Sequence, residues 1–185
     1  MGAGGVLADM DLESWENVIN LNLNMVFYMT QRCIPYLEGA ATVDDPASII
    51  MLGSTDALRV PNQTNLNYPY SASKAALHWF TKHAAIGLGA KYITVNCIAP
   101  GPVASRMNSS ILDPAEAASK IRETPLQRIG KSEDMAGPAL FLASRAGSWM
   151  TGEVYAAGGG RALGFYGKSD NSPGFETPPL TFGKL

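Results

Sequence analysis

Two short apolar runs with a long helix-forming segment between them constrain this chain most. ASIIMLGS (47–54) is apolar through its middle and ends in small polar residues, which suits a buried parallel strand. KYITVNCIAPG (91–101) is a second such run, rich in β-branched residues and stopped by Pro-Gly. Between them, Tyr68 to Leu88 is rich in Ala, Leu, Lys and Phe and reads as a helix. Strand, helix and strand in that order make a βαβ unit with a right-handed crossover expected. Ligands of such sheets gather at the carboxyl ends of the strands. Ser54 and Pro100–Gly101 stand at those ends.

The helix carries a chemically informative pair, Tyr70 and Lys74 in YSASK. Residues four apart share a helix face. A free tyrosine titrates near pH 10, so about one in a thousand is phenolate at neutral pH. An ammonium ~5 Å away, at an effective dielectric of ~20, offers a phenolate roughly 3 kcal/mol. That lowers a tyrosine by up to about two pH units and makes it a usable proton donor and acceptor. The motif is weak by itself. With 7 tyrosines and 7 lysines in 185 residues, chance supplies such a pair about a quarter of the time.

The surrounding segments add specificity. WENVINLNL (15–23), IIMLGS (49–54), YSASKAAL (70–77), ITVNCIAPGPVASRM (93–107), PLQRIGKSEDMAGPALFLAS (125–144) and TGEVYAAGGG (151–160) follow one another in that order. Together they resemble the C-terminal two-thirds of a short-chain dehydrogenase/reductase. The subgroup is similar to the rhamnolipid-pathway 3-oxoacyl reductase and its fungal relatives. The resemblance implies an α/β fold: a Rossmann-like, doubly wound parallel sheet, truncated because its first βα units are absent. Residues 1–164 would be the catalytic half of that domain, and 165–185, polar and rich in Pro and Gly, a flexible tail.

The resemblance also implies roles. Tyr70 would protonate a carbonyl oxygen as hydride arrives from a nicotinamide. Lys74 would lower the Tyr70 pKa and hold the nicotinamide ribose. Ser54 would bind the substrate oxygen. Asn22 would anchor the water that passes protons to Lys74. Pro100 and Gly101 would shape the loop beside the nicotinamide. The Val103 backbone and the Ser105 hydroxyl would contact its carboxamide and a phosphate. The cofactor would be NADP or NAD, with NADP slightly favoured, and the substrate a small carbonyl or alcohol. A homo-oligomer paired through the Asn22 and Tyr70 helices is implied for a complete chain. Read from the residues alone, Asn22 is sooner a satisfied buried amide, and Ser54 can be a strand-end turn residue and Ser105 a helix N-cap.

Some features depart from the family pattern. Twelve residues, LRVPNQTNLNYP, fill a long gap between Ser54 and Tyr70. Ala157-Gly158 stands where Val-Asp is usual, and Pro138 falls inside a helix-forming stretch. The Gly-rich phosphate turn is missing: Gly2-Ala3-Gly4 would need a glycine where Leu7 stands, and Gly158-Gly159-Gly160 one where Leu163 stands. The residue that selects NAD or NADP is missing with it. At roughly 30 residues per βα unit, about 90–100 family residues have no counterpart. An inactive fragment that pairs with a full-length relative is therefore the alternative expectation.

Composition bounds the rest. The length permits one domain, and 46% apolar residues can build a core. A net charge of −2 gives no basic patch, so neither nucleic acid nor an anionic membrane is an expected partner. Cys33 and Cys97 form no scaffold pattern, which fits a reducing cytoplasmic setting without a metal site. No apolar run reaches 18 residues. A long amphipathic helix is expected over 11–38, a mobile segment with short helices that forms a substrate lid over 102–125, an N-cap at Ser132 and a last strand over 152–157. His78 and His83 read as helix-surface or subunit-interface residues.

Overall fold

The two apolar runs pair side by side. In the computed structural model, which describes residues 7–60, 66–105, 111 and 113–164, β1 (Ala47–Leu52) runs parallel to β2 (Ile93–Pro100). Ala47 lies opposite Ile93, and Leu52 opposite Ile98. β3 (Val154–Ala157) joins the other side of β2, also parallel, with Cys97 opposite Val154 and Pro100 opposite Ala157. The sheet order is β1-β2-β3, and among the described residues the other edge of β1 has no partner strand.

Helices cover both faces. Met51, Ile93, Val95 and Cys97 point to one side and pack with Leu77, Ala85 and Leu88 of α3 (Tyr68–Leu88). Val26, Ile34 and Leu37 of α2 (Met25–Ala40) close that layer. Ser48 and its partner Thr94 point to the opposite side. There the Ser48 hydroxyl donates to the Leu142 carbonyl of α5 (Ser132–Ala143) at 3.2 Å. The expected Rossmann-like α/β architecture is what the chain forms.

The boundaries have local causes. Asn67 caps α3 by accepting the Tyr70 N–H at 3.4 Å, and Pro69 sits where a missing N–H does no harm. A short turn, Gly89–Lys91, ends α3, and Tyr92 takes a left-handed φ of 55° before β2 begins. Asn96, fully buried mid-strand, donates to the Met150 carbonyl at 2.7 Å and accepts the Glu153 N–H at 3.2 Å. It thereby fixes the loop that delivers β3.

Two expectations need correction. The helix expected over 11–38 is α1 (Leu12–Ile19), a π turn (Asn20–Asn24) and α2. The Met25 N–H reaches back five residues to the Asn20 carbonyl. The wider turn changes the angle at which Asn22 leaves the helix, and a periodicity of apolar residues does not register it. The cap of α5 is Lys131, not Ser132: the Asp134 carboxylate accepts the Lys131 N–H at 2.7 Å. The same carboxylate takes two bonds from Arg128, at 2.6 and 2.8 Å, and these hold it well below the usual carboxylate range. The segment expected to be a lid with short helices does contain one, α4 (Pro114–Arg122), capped by Asp113 and followed by the buried Glu123; residues 106–110 and 112 of it fall outside the described ones. Pro138 does lie inside α5. The tail, 165–185, falls outside the described residues.

Candidate active site

The site forms where β1 and β2 end and α3 begins. Ser54 follows β1 in an extended conformation and caps a one-turn helix, Thr55–Ala57, its hydroxyl accepting the Asp56 N–H at 3.1 Å. The same side chain hydrogen-bonds Tyr70, so the two residues that the sequence separates by 16 positions meet. Lys74 lies one turn along α3, its ammonium 5.8 Å from the Tyr70 ring centre.

Asn22 joins this group through a residue that the sequence reading missed. Its amide donates to the Ser73 hydroxyl at 3.1 Å, and Ser73 donates to the Tyr70 carbonyl at 2.7 Å. Ser73 is fully buried. The π turn is thus pinned to the first turns of the Tyr70 helix. The only sequence signal was a small polar residue three after Tyr70, which turn and helix preferences do not distinguish from a spacer.

The electrostatics differ from expectation. Tyr70 is raised above its ordinary value, first by burial and then by the Asp56 charge, with the Ser54 hydrogen bond acting the other way. Lys74 does not produce the expected lowering. Its ammonium donates to the Leu52 carbonyl at 2.7 Å, and burial shifts it below the usual lysine range. Sequence spacing correctly gives a shared helix face; it does not give the carbonyl that claims the ammonium.

Pro100 ends β2, and Gly101 follows with its N–H on the Ala157 carbonyl at 3.1 Å. A Cβ at Gly101 would come 2.7 Å from the Gly158 Cα, and one at Gly158 would come 2.5 Å from the Thr55 methyl. The ends of all three strands therefore close on one another with no room for side chains. This accounts for Gly158 at the position where an Asp was expected. Val103 forms a parallel bridge with Gly130, and Ser105 is exposed. Residues 106–110 lie outside the described ones, so the N-cap alternative for Ser105 falls beyond view.

His78, expected on the helix surface or at a subunit interface, is buried within the chain, with Nε2 accepting the Ser54 N–H at 3.3 Å. His83 is exposed beside Trp79, ring centres 5.5 Å apart. Cys97, fully buried beside Gly53, has its thiol pushed up to about 11 by burial. A thiol-disulfide exchange reagent at neutral pH is therefore expected to modify Cys33 in the folded chain and Cys97 only after unfolding. Mass mapping of the modified peptides checks this, and rapid labelling of Cys97 in the native chain would contradict the packing described.

Comparison with known proteins gives a consistent result. A family model described as Enoyl-(Acyl carrier protein) reductase matches residues 2–162. The chain is 37% identical over 158 residues to the rhamnolipids biosynthesis 3-oxoacyl-[acyl-carrier-protein] reductase of Pseudomonas aeruginosa, covering 85% of this chain and 61% of that protein. It is 36% identical over 160 residues to the 3-oxoacyl-[acyl-carrier-protein] reductase FabG of Thermotoga maritima, covering 85% and 61%. Among solved structures, the Pseudomonas aeruginosa RhlG/NADP active-site complex superposes with a TM-score of 0.83 at 36% identity, covering 88% of this chain and 63% of that one. The chain thus spans about 61% of the length of the curated relatives it matches.

Proposed function

This chain belongs to the short-chain dehydrogenase/reductase family, and we propose that its Tyr70 site reduces a ketone to a secondary alcohol, with NADP or NAD as hydride source. The observation that carries this reading is the meeting of Tyr70, Ser54 and Lys74 at the carboxyl end of the sheet. Two relatives named as 3-oxoacyl reductases support a 3-oxoacyl thioester as substrate. The NADP in the superposed structure supports NADP as the preferred cofactor.

The residues present fit the nicotinamide end of such a cofactor. Lys74 gives one ammonium proton to Leu52 and has two more to offer beside Tyr70. Pro100, Gly101, Val103 and Ser105 run outward from the neighbouring strand end. No Gly-rich phosphate turn is among these 185 residues.

When bound, the cofactor supplies hydride to the carbonyl carbon. Tyr70 gives its phenolic proton to the carbonyl oxygen. The Ser54 hydroxyl donates to that oxygen as negative charge builds on it. Lys74 would hold the ribose hydroxyls of such a cofactor, and its charge steadies the phenolate left behind. Asn22, tied to Ser73, holds the water that restores the proton through Lys74.

One observation favours a second reading. Phe27 and Tyr28 of α2 and Trp79 and Ile86 of α3 are exposed, as a surface that pairs with another subunit would be. In that reading the chain is inactive alone and associates with a full-length relative; in the first reading the same surface joins copies of a homo-oligomer. The test is NADPH-dependent reduction of acetoacetyl-CoA by the purified chain, with the hydroxyacyl product identified by chromatography. Turnover is expected. A folded chain without turnover, which sediments with a full-length relative when mixed, would replace the first reading with the second.

A further inference from the structure

His78 stands one turn beyond Lys74 and two beyond Tyr70 on α3. It is only 6% exposed, and its Nδ1 is buried without a hydrogen-bond partner among the described residues. Its Nε2 faces the Ser54 N–H at 3.3 Å. A nitrogen that accepts carries no proton, so the ring is neutral and protonated at Nδ1.

The strand end is shaped around this ring. The last sheet-type bond of β1 is made by the Gly53 N–H to the Ile98 carbonyl at 2.7 Å. The next N–H, that of Ser54, has left the ladder. A Cβ at Gly53 would collide with His78 Nε2 and come 2.7 Å from Cys97 Sγ. The absent side chain therefore makes the slot that the imidazole fills. The Ser54 hydroxyl meanwhile meets Tyr70 and accepts the Asp56 N–H. Its freedom to aim at a substrate oxygen is set by the backbone that His78 holds.

We propose that His78 is a positioning residue of this site: the neutral imidazole accepts the Ser54 N–H and fixes the direction in which the Ser54 hydroxyl meets Tyr70 and the reacting oxygen. The proposal rests on the reading of Ser54 as the substrate-oxygen donor. Burial, followed by the ammonium groups of Lys74 and Lys82, keeps His78 below the ordinary histidine range. Cys97 faces it from β2, and that thiol stays protonated until about 11, so it adds no charge at neutral pH. Acidification protonates Nε2, removes the acceptor and brings a third cation beside Lys74 and Lys82.

The direct test is an amide spectrum of the 15N-labelled chain across acid pH. The Ser54 N–H is expected to shift with the His78 imidazole, with one shared midpoint below about 6.5. In His78→Gln an amide oxygen replaces the ring acceptor and the pH dependence disappears. A Ser54 amide that stays still while His78 titrates overturns the proposal.

A kinetic cycle separates positioning from bulk structure. His78→Leu is expected to lower kcat for acetoacetyl-CoA reduction on the order of 10- to 100-fold, with KM for NADPH unchanged and partial rescue by His78→Gln. In a Ser54→Ala background the same change is expected to have no further effect. Equal losses in both backgrounds would make His78 a general packing residue and overturn the proposal. A Ser54→Ala variant with full activity would instead overturn the reading of Ser54, and the amide titration would still decide whether His78 holds that backbone.

Discussion

Replacing Tyr70 by Phe is expected to lower kcat for ketone reduction on the order of 10²- to 10⁴-fold, with the fold intact. The phenol is the proton donor in this account, and Phe keeps the ring while removing the proton. The ring is half-buried, and the Ser54 hydroxyl bonded to it loses one partner that water can replace. Circular dichroism and the melting midpoint should therefore move little. The pH profile follows from the raised pKa of Tyr70. A raised value keeps the phenol protonated through neutral pH, so reduction retains its donor until the pH exceeds about 10. Alcohol oxidation, which needs the phenolate, should rise with pH over the same range. NADPH oxidation and alcohol-dependent NADP reduction, each followed against pH, check both limbs. A Tyr70→Phe variant with unchanged turnover contradicts the donor assignment.

The largest effect on stability is expected at Glu123. Its carboxylate bridges Arg59 at 2.9 Å and Arg161 at 2.6 Å, with all three side chains at least nine-tenths buried. The three come from the loop after β1, the end of α4 and the turn after β3. One carboxylate thus ties together the segments that surround the strand ends. Glu123→Gln keeps the shape and removes the charge, which leaves two buried guanidiniums facing each other. Removing one member of a buried ion pair costs about 3–5 kcal/mol, a large share of the roughly 5–15 kcal/mol that holds a domain folded. Urea titration of the variant against the parent chain measures it. A shift below about 1 kcal/mol, the scale of an exposed pair, would mean that the triad does not anchor these loops.

The sequence made the central elements legible because their signals are local. The span of α3, Tyr68–Leu88, matches the reading to the residue, since Asn67, Pro69 and the glycine after Leu88 mark its ends. β1 and β2 announce themselves by continuous apolar runs between turn residues, the mark of strands covered on both faces. The features that escaped notice depend on partners distant in sequence. His78 sits among Leu77, Trp79 and Phe80, which reads as packing, and its partner is a backbone N–H 24 positions earlier. Ser73 matters because the π turn brings Asn22 to it from 51 positions away. The Arg59–Glu123–Arg161 cluster joins three charges from three loops, and no spacing rule connects them. The direction of the Tyr70 shift depends on burial and on the Asp56 charge, and the Lys74 ammonium is held by the Leu52 carbonyl; a four-residue spacing encodes none of these.

The most direct test of this account is a titration of the 185-residue chain with NADPH, followed by nicotinamide fluorescence, with Lys74→Ala alongside. If these strand ends form the nicotinamide and carbonyl end of a reductase, the parent chain binds saturably and the variant binds on the order of tenfold more weakly, the loss of a hydrogen bond from a charged donor. A folded chain that does not bind NADPH, or one that binds it equally well without Lys74, would contradict the assignment.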